Sequence, residues 1–169
     1  MDKKDGLIRL YTRVYSRGRS VKLLKLLGTL AVVYVVLGFT AVNLELLIKR
    51  EYSECVRLCA VAAIPFVTVS LMRYVINMPR PYETLDFLPF EDMRTQRKAG
   101  KSFPSRHVFS AFLIGSLLIP YSIPLGVMTL LVGVFIAVER VLLGIHFPLD
   151  VIVGGIVGVA SGLIGILFL

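Results

Sequence analysis

Both histidines of this chain, His107 and His146, fall beside arginines at the edges of long apolar stretches. Three clusters hold them. Arg73 precedes Asn77-Met78-Pro79-Arg80-Pro81; Phe103-Pro104-Ser105-Arg106-His107 opens another apolar run; and Arg140 leads through Gly144 to His146, Pro148 and Asp150. Arg73, Arg80, Arg106 and Arg140 offer planar forks that match phosphate oxygens, and aimed at one point they would stabilise a phosphoryl group through its transition state. Ser105 adds a hydroxyl. With two imidazoles beside the phosphate, one could attack phosphorus while the other protonates the leaving oxygen. Asp150, four residues beyond His146, could hold that ring in one tautomer if the chain bends at Pro148. Pro148 suits the first turn of a helix, which would leave His146 just outside it. Taken singly, such arginines and histidines anchor span ends to headgroups. Taken together, three clusters on one membrane face ask for a shared ligand, and a phosphate ester is the natural one.

The elements that must position them are membrane spans. Of 169 residues, 56% are apolar and none is tryptophan, which is too apolar for an ordinary soluble domain. Leu26–Ile48, Cys55–Val75, Val108–Ile123, Leu125–Leu143 and Leu149–Leu169 are five stretches that can cross a bilayer, the third rather short. Because helices cross alternately, the end of the second span, the start of the third and the join between fourth and fifth share one face. The expected fold is therefore all-α, a polytopic transmembrane bundle. Residues 1–20 form a basic segment in which Leu7, Leu10, Tyr11 and Val14 lie on one helical side and Arg9, Arg13 and Arg17 on another, as expected of an interfacial amphipathic helix. Residues 21–169 read as a single membrane domain. Gly154, Gly158 and Gly162 recur every four residues in the fifth span and allow close helix packing, within the bundle or in a homo-oligomer.

Cys55 and Cys59 lack the partners of a zinc site or disulfide framework, and plain helix packing is expected of them. The net charge of +8, concentrated in the N-terminal segment and one long loop, suits anionic lipid headgroups and phosphate and leaves nucleic acid a poor partner.

Arg73 with six residues before Arg80-Pro81, then Pro104-Ser105-Arg106-His107, then Arg140 with five residues before His146 and three before Asp150, resembles the three-part signature of the type 2 phosphatidic acid phosphatase (PAP2) superfamily. The resemblance extends over residues 73–150. It implies a metal-independent membrane lipid phosphatase with no cofactor. In that reading His146 is the nucleophile that forms a phosphohistidine, Asp150 orients it, and His107 is the general acid. Arg73, Arg80, Ser105 and Arg140 hold the phosphate, with Arg106 as an added guanidinium.

The chain departs from the pattern in places. Arg73 stands where lysine is common, Arg106 where glycine is usual, and Glu139 precedes Arg140 where a small residue is common. A positive φ at residue 106 would be costly for arginine. Bacterial relatives commonly have six spans with the site outside. Five spans put the motif face with the N-terminus, where eight basic residues precede Leu26 and Arg94, Arg97, Lys98 and Lys101 add to them, against Lys49, Arg50 and Arg57 opposite. That asymmetry favours a cytoplasmic site in the cell membrane. Phosphatidic acid, phosphatidylglycerol phosphate and polyprenyl diphosphate are the candidate substrates. The rival readings are a non-catalytic lipid-phosphate-binding protein and a small scaffold assembled through the fifth span.

Overall fold

A computed structural model describes residues 3–16, 18–85 and 100–169. Among them every regular element is a helix: α1 (Lys3–Tyr15), α2 (Gly18–Ile48), α3 (Tyr52–Ile76), the single turn α4 (Pro81–Thr84), α5 (Arg106–Leu118), α6 (Ile123–Leu142) and α7 (Pro148–Ile166). The loop cations Arg94, Arg97 and Lys98, and Arg17 near the N-terminus, lie outside the described residues.

α2, α3, α6 and α7 are each long and apolar enough to cross a bilayer. Leu30, Leu37, Leu71 and Ile156 are exposed on their outer sides, as lipid-facing residues must be in a chain whose only apolar solvent is the bilayer. The chain is an integral membrane protein.

The third expected span is shorter than its apolarity suggested. Val108–Ile123 becomes α5, which stops at Leu118 because residues 119–122 turn around Pro120 and the Ser122 hydroxyl then caps α6 by accepting from Leu125 N at 3.4 Å. α5 can be short because it is the central helix. Val108, Phe109, Leu117 and Leu118 are fully buried, so protein rather than lipid surrounds it. The glycines of α7 make this possible. A Cβ on Gly154 would stand 2.8 Å from the Ser105 carbonyl oxygen, and one on Gly158 would stand 2.5 Å from that of Phe109. Gly154, Gly158 and Gly162 are all buried against α5, so the stripe that could have served an assembly is taken up inside the chain.

At the end away from the clusters, Asn43 Oδ1 accepts from the thiols of Cys55 and Cys59 at 3.3 and 3.2 Å, tying α2 to α3. At the other end, α1 does more than lie on a leaflet. Tyr11 is fully buried against Tyr82 and Leu85, with Phe147 beside them, and the Tyr15 hydroxyl donates to Leu143 O at 3.0 Å. Arg9 and Arg13 remain exposed on the opposite side. Burial pushes the Tyr11 phenol up to about 12, and the negative charge of Asp150 adds to the rise.

Candidate active site

The first cluster is built where α3 ends. Asn77 adopts the left-handed conformation (φ 46°) and its N–H bonds to Arg73 O, which stops the helix and turns the chain into Pro79-Arg80-Pro81. An extended segment, residues 100–104, then runs back alongside. Ser102 N donates to Met78 O at 2.8 Å and Gly100 N donates to Glu83 Oε1 at 2.8 Å. Gly100 and Lys101 both have positive φ, and the Lys101 ammonium lies 4.2 Å from the Tyr74 ring centroid.

Arg73 is buried and spends its fork on this segment. Nη1 donates to Ser102 O at 3.3 Å and to Pro104 O, and Nη2 donates to Lys101 O. Arg80 Nε donates to Gly100 O at 3.1 Å and Nη1 to Ile145 O at 3.4 Å, so its guanidinium links the loop to the residue before His146. Both expected phosphate ligands thus also act as clamps on backbone carbonyls.

The second cluster opens α5. Ser105 is its N-cap residue, with its N–H bonded to Asp150 O at 2.9 Å. The Ser105 hydroxyl is buried and has no hydrogen-bond partner among the described residues. It sits beside the first-turn N–H groups of α5, which no intrahelical carbonyl can satisfy. A hydroxyl and a helix N-terminus of this kind suit an anion. Arg106 is in the first turn of α5 and is not among the positive-φ residues, so the cost feared for a glycine-type conformation does not arise. Its exposed guanidinium lies 5.6 Å from the Phe66 ring centroid on α3, at the edge of the site. His107 follows in the first turn of α5 and lies in the field of Arg140, His146, Arg106 and Arg73.

The third cluster is a tight turn between α6 and α7. Gly144 has φ 59°, its N–H bonds to Val141 O, and both Ile145 N and His146 N reach Arg140 O at 3.1 and 3.3 Å. Glycine is needed there because L side chains rarely adopt that φ. Pro148 occupies the first position of α7, and Asp150 Oδ2 accepts from Phe147 N at 2.9 Å. The same oxygen lies 3.4 Å from His146 Nδ1. His146 is only 2% exposed. Burial, joined by the positive charges of Arg80 and Arg73, pushes its imidazole down to about 4, although Asp150 opposes the fall. It is therefore neutral at ordinary pH and able to act as a nucleophile. Arg140 Nε pairs with Glu139 Oε2 at 3.1 Å.

Arg73, Arg80, Ser105, His107, Arg140, His146 and Asp150 are thus gathered at one end of the bundle, with Arg106 on the rim. One further residue belongs with them. Ser102 is fully buried, donates from Oγ to Asp150 Oδ2, and lies 3.3 Å from His146 Nδ1. It stands just before the second motif, in a stretch with no periodicity to mark it.

The model of the PAP2 superfamily matches residues 54–169 of this chain. The chain belongs to that superfamily. This PAP2 chain is 29% identical over 103 residues to the bacitracin transport permease protein BcrC of Bacillus licheniformis, a match covering 60% of this chain and 51% of that protein. The chain so spans about half the length of the curated relative it matches. Among solved structures it is similar to Aquifex aeolicus LpxE, at TM-score 0.62 and 25% identity, over 87% of this chain and 94% of that one. A transmembrane PAP2 type phosphatidylglycerolphosphate phosphatase from Bacillus subtilis superposes at TM-score 0.59 and 19% identity, over 99% and 96% of the two chains, a likeness of fold.

Proposed function

We propose that this PAP2 chain is a membrane phosphatase that hydrolyses a lipid phosphate or diphosphate monoester, without a metal, through a phosphohistidine. The observation that carries the reading is His146, a buried imidazole with Asp150 3.4 Å from Nδ1, set beside Ser105, Arg80 and Arg140. Nε2 of His146 attacks phosphorus as the bond to the leaving oxygen breaks, and His107, protonated when the negative charge of the bound phosphate offsets the surrounding arginines, gives its proton to that oxygen. Asp150 stabilises the positive ring. Water then attacks the phosphohistidine, with His107 taking its proton, and phosphate leaves. Arg80, Arg140, Ser105 and the first-turn N–H groups of α5 hold the charge on the phosphoryl oxygens, which is the largest contribution available to such a site.

A lipid substrate is supported by a groove of about 630 Å³ between α2, α3 and α5, lined by Val35, Val36, Phe39 and Phe66 and ending at Arg106 and His107. An acyl or prenyl tail would lie there with its headgroup at the arginines. Phosphatidic acid, phosphatidylglycerol phosphate and polyprenyl diphosphate all fit that description. In this reading residues 1–20 are a basic N-terminal segment and residues 21–169 a single phosphatase domain. α1 shares the site's end of the bundle, and its exposed Arg9 and Arg13 favour a cytoplasmic site in the cell membrane.

Phosphate release from these three lipids in excess EDTA, by the wild type and by His146→Ala, tests the reading. Turnover by the wild type alone is expected. A wild type inert towards the whole panel would sink it.

A further inference from the structure

We propose that Ser102 is a positioning residue that fixes the tautomer of His146 by bridging its Nδ1 to Asp150, an inference that rests on His146 being the nucleophile.

The hydrogen-bond count around Asp150 Oδ2 leads to it. That oxygen accepts from Phe147 N at 2.9 Å and from Ser102 Oγ, while His146 Nδ1 is farther away at 3.4 Å. Ser102 Oγ is marginally closer to Nδ1, at 3.3 Å. A hydroxyl has one proton and two lone pairs. With the Ser102 proton given to the carboxylate, only lone pairs remain to face the ring, so Ser102 can accept from Nδ1 but cannot donate to it. Nδ1 must then carry the hydrogen, shared between Ser102 Oγ and Asp150 Oδ2. Nε2 is left with its lone pair free, which is the form that can attack phosphorus. Asp150 alone is a poor guide for the ring, because its near oxygen is already committed to the cap of α7.

Ser102 is itself held firmly. Its side chain is fully buried, its N–H bonds to Met78 O at 2.8 Å, and its carbonyl accepts from Arg73 Nη1 at 3.3 Å. The clamp on residues 100–104 therefore reaches the nucleophile through one hydroxyl. This gives Arg73 a route to act on His146 that does not pass through bound phosphate.

The experiment combines imidazole nitrogen spectra of ¹⁵N-histidine-labelled protein in detergent with steady-state kinetics. The chain contains two histidines, so His107→Asn assigns both rings. Wild-type His146 is expected as one tautomer protonated on Nδ1. Ser102→Ala should give a mixture of tautomers and lower kcat about 10- to 100-fold with KM changed less than threefold, and Ser102→Thr, which keeps the hydroxyl, should recover most of both. If Ser102→Ala does not fold, Ser102→Cys keeps the volume with a much weaker hydrogen bond and should show the same loss. A single Nδ1–H tautomer retained in the Ala or Cys variant overturns the proposal, as does an equal loss in the Thr variant. The spectra do not depend on turnover. An inactive wild type whose tautomer still responds to Ser102 would count against the phosphatase reading and leave the bridge standing.

Discussion

The Glu139 carboxylate lies against the backbone of Gly28: a Cβ on Gly28 would stand 2.6 Å from the carboxyl carbon. Glu139 is 2% exposed, and its Oε2 is 3.1 Å from Arg140 Nε. α2 therefore leaves room, through one missing side chain, for an acid that pairs with Arg140, an arginine of the candidate site.

Removing either half should disturb Arg140. Glu139→Ala and Gly28→Leu are each expected to lower kcat/KM by about 10-fold or more, and the double variant should be far less than the product of the two, because both act on one contact. Strictly multiplicative losses would separate Gly28 from Glu139.

Arg73→Lys restores the residue common in the superfamily, yet here it should cost stability. One ammonium cannot span the carbonyls of Lys101, Ser102 and Pro104 that the fork reaches. A loss of about 1–3 kcal/mol is expected, read as a lowered thermal midpoint and faster amide exchange at residues 100–104. An unchanged midpoint with a raised KM would show that Arg73 serves phosphate instead of the loop.

The pH dependence follows from the depressed His146. If His146 is the nucleophile, as proposed, protonation would disable it, so kcat/KM should rise with pH through about 4 and be level above it with respect to this group, once ionisation of the substrate phosphate is allowed for. An acid limb centred near the ordinary histidine value of about 6.5 would contradict the burial of the ring.

His107 lines the groove between α2, α3 and α5, and its ring makes no hydrogen bond among the described residues, as the proposed general acid requires. His107→Ala should slow alkyl phosphates about 100-fold more than activated aryl phosphates, whose leaving groups need no acid. Equal slowing of both would argue against the general-acid role.

Packing of α7 on α5 gives a prediction about stability. A side chain at Gly158 meets Phe109 O at 2.5 Å and Leu113 N at 3.1 Å, both backbone atoms that cannot swing away. Gly158→Val should cost about 1–3 kcal/mol, whereas Gly6→Ala, with nothing within 4 Å of its Cβ, should leave the midpoint unchanged.

The motif residues could be read from sequence because alternating spans bring their clusters to one end whatever the details of packing. Their partners could not. Whether Arg73 faces phosphate or carbonyls depends on the path of residues 100–104, a loop with no period to read. Ser102 escaped for the same reason, since a serine beside a proline has many bland uses. The length of α5 was hidden because apolarity continues through Ile119, Tyr121 and Ile123 although the helix does not. Tyr11 looked like the apolar side of a lipid-bound helix, and its real cover, Tyr82 and Leu85, lies some seventy residues away in the chain.

The shortness of α5 has a consequence for transport. Its 13 residues extend about 20 Å, against a hydrocarbon layer of about 30 Å. If the turn before α6 lies at one face of the bilayer, a helix of that length leaves the end bearing Ser105 and His107 short of the opposite headgroup plane. Under the proposed reading, a lipid alcohol released there would already be in its own solvent and would need no path out. Water and inorganic phosphate would then be the species that must travel.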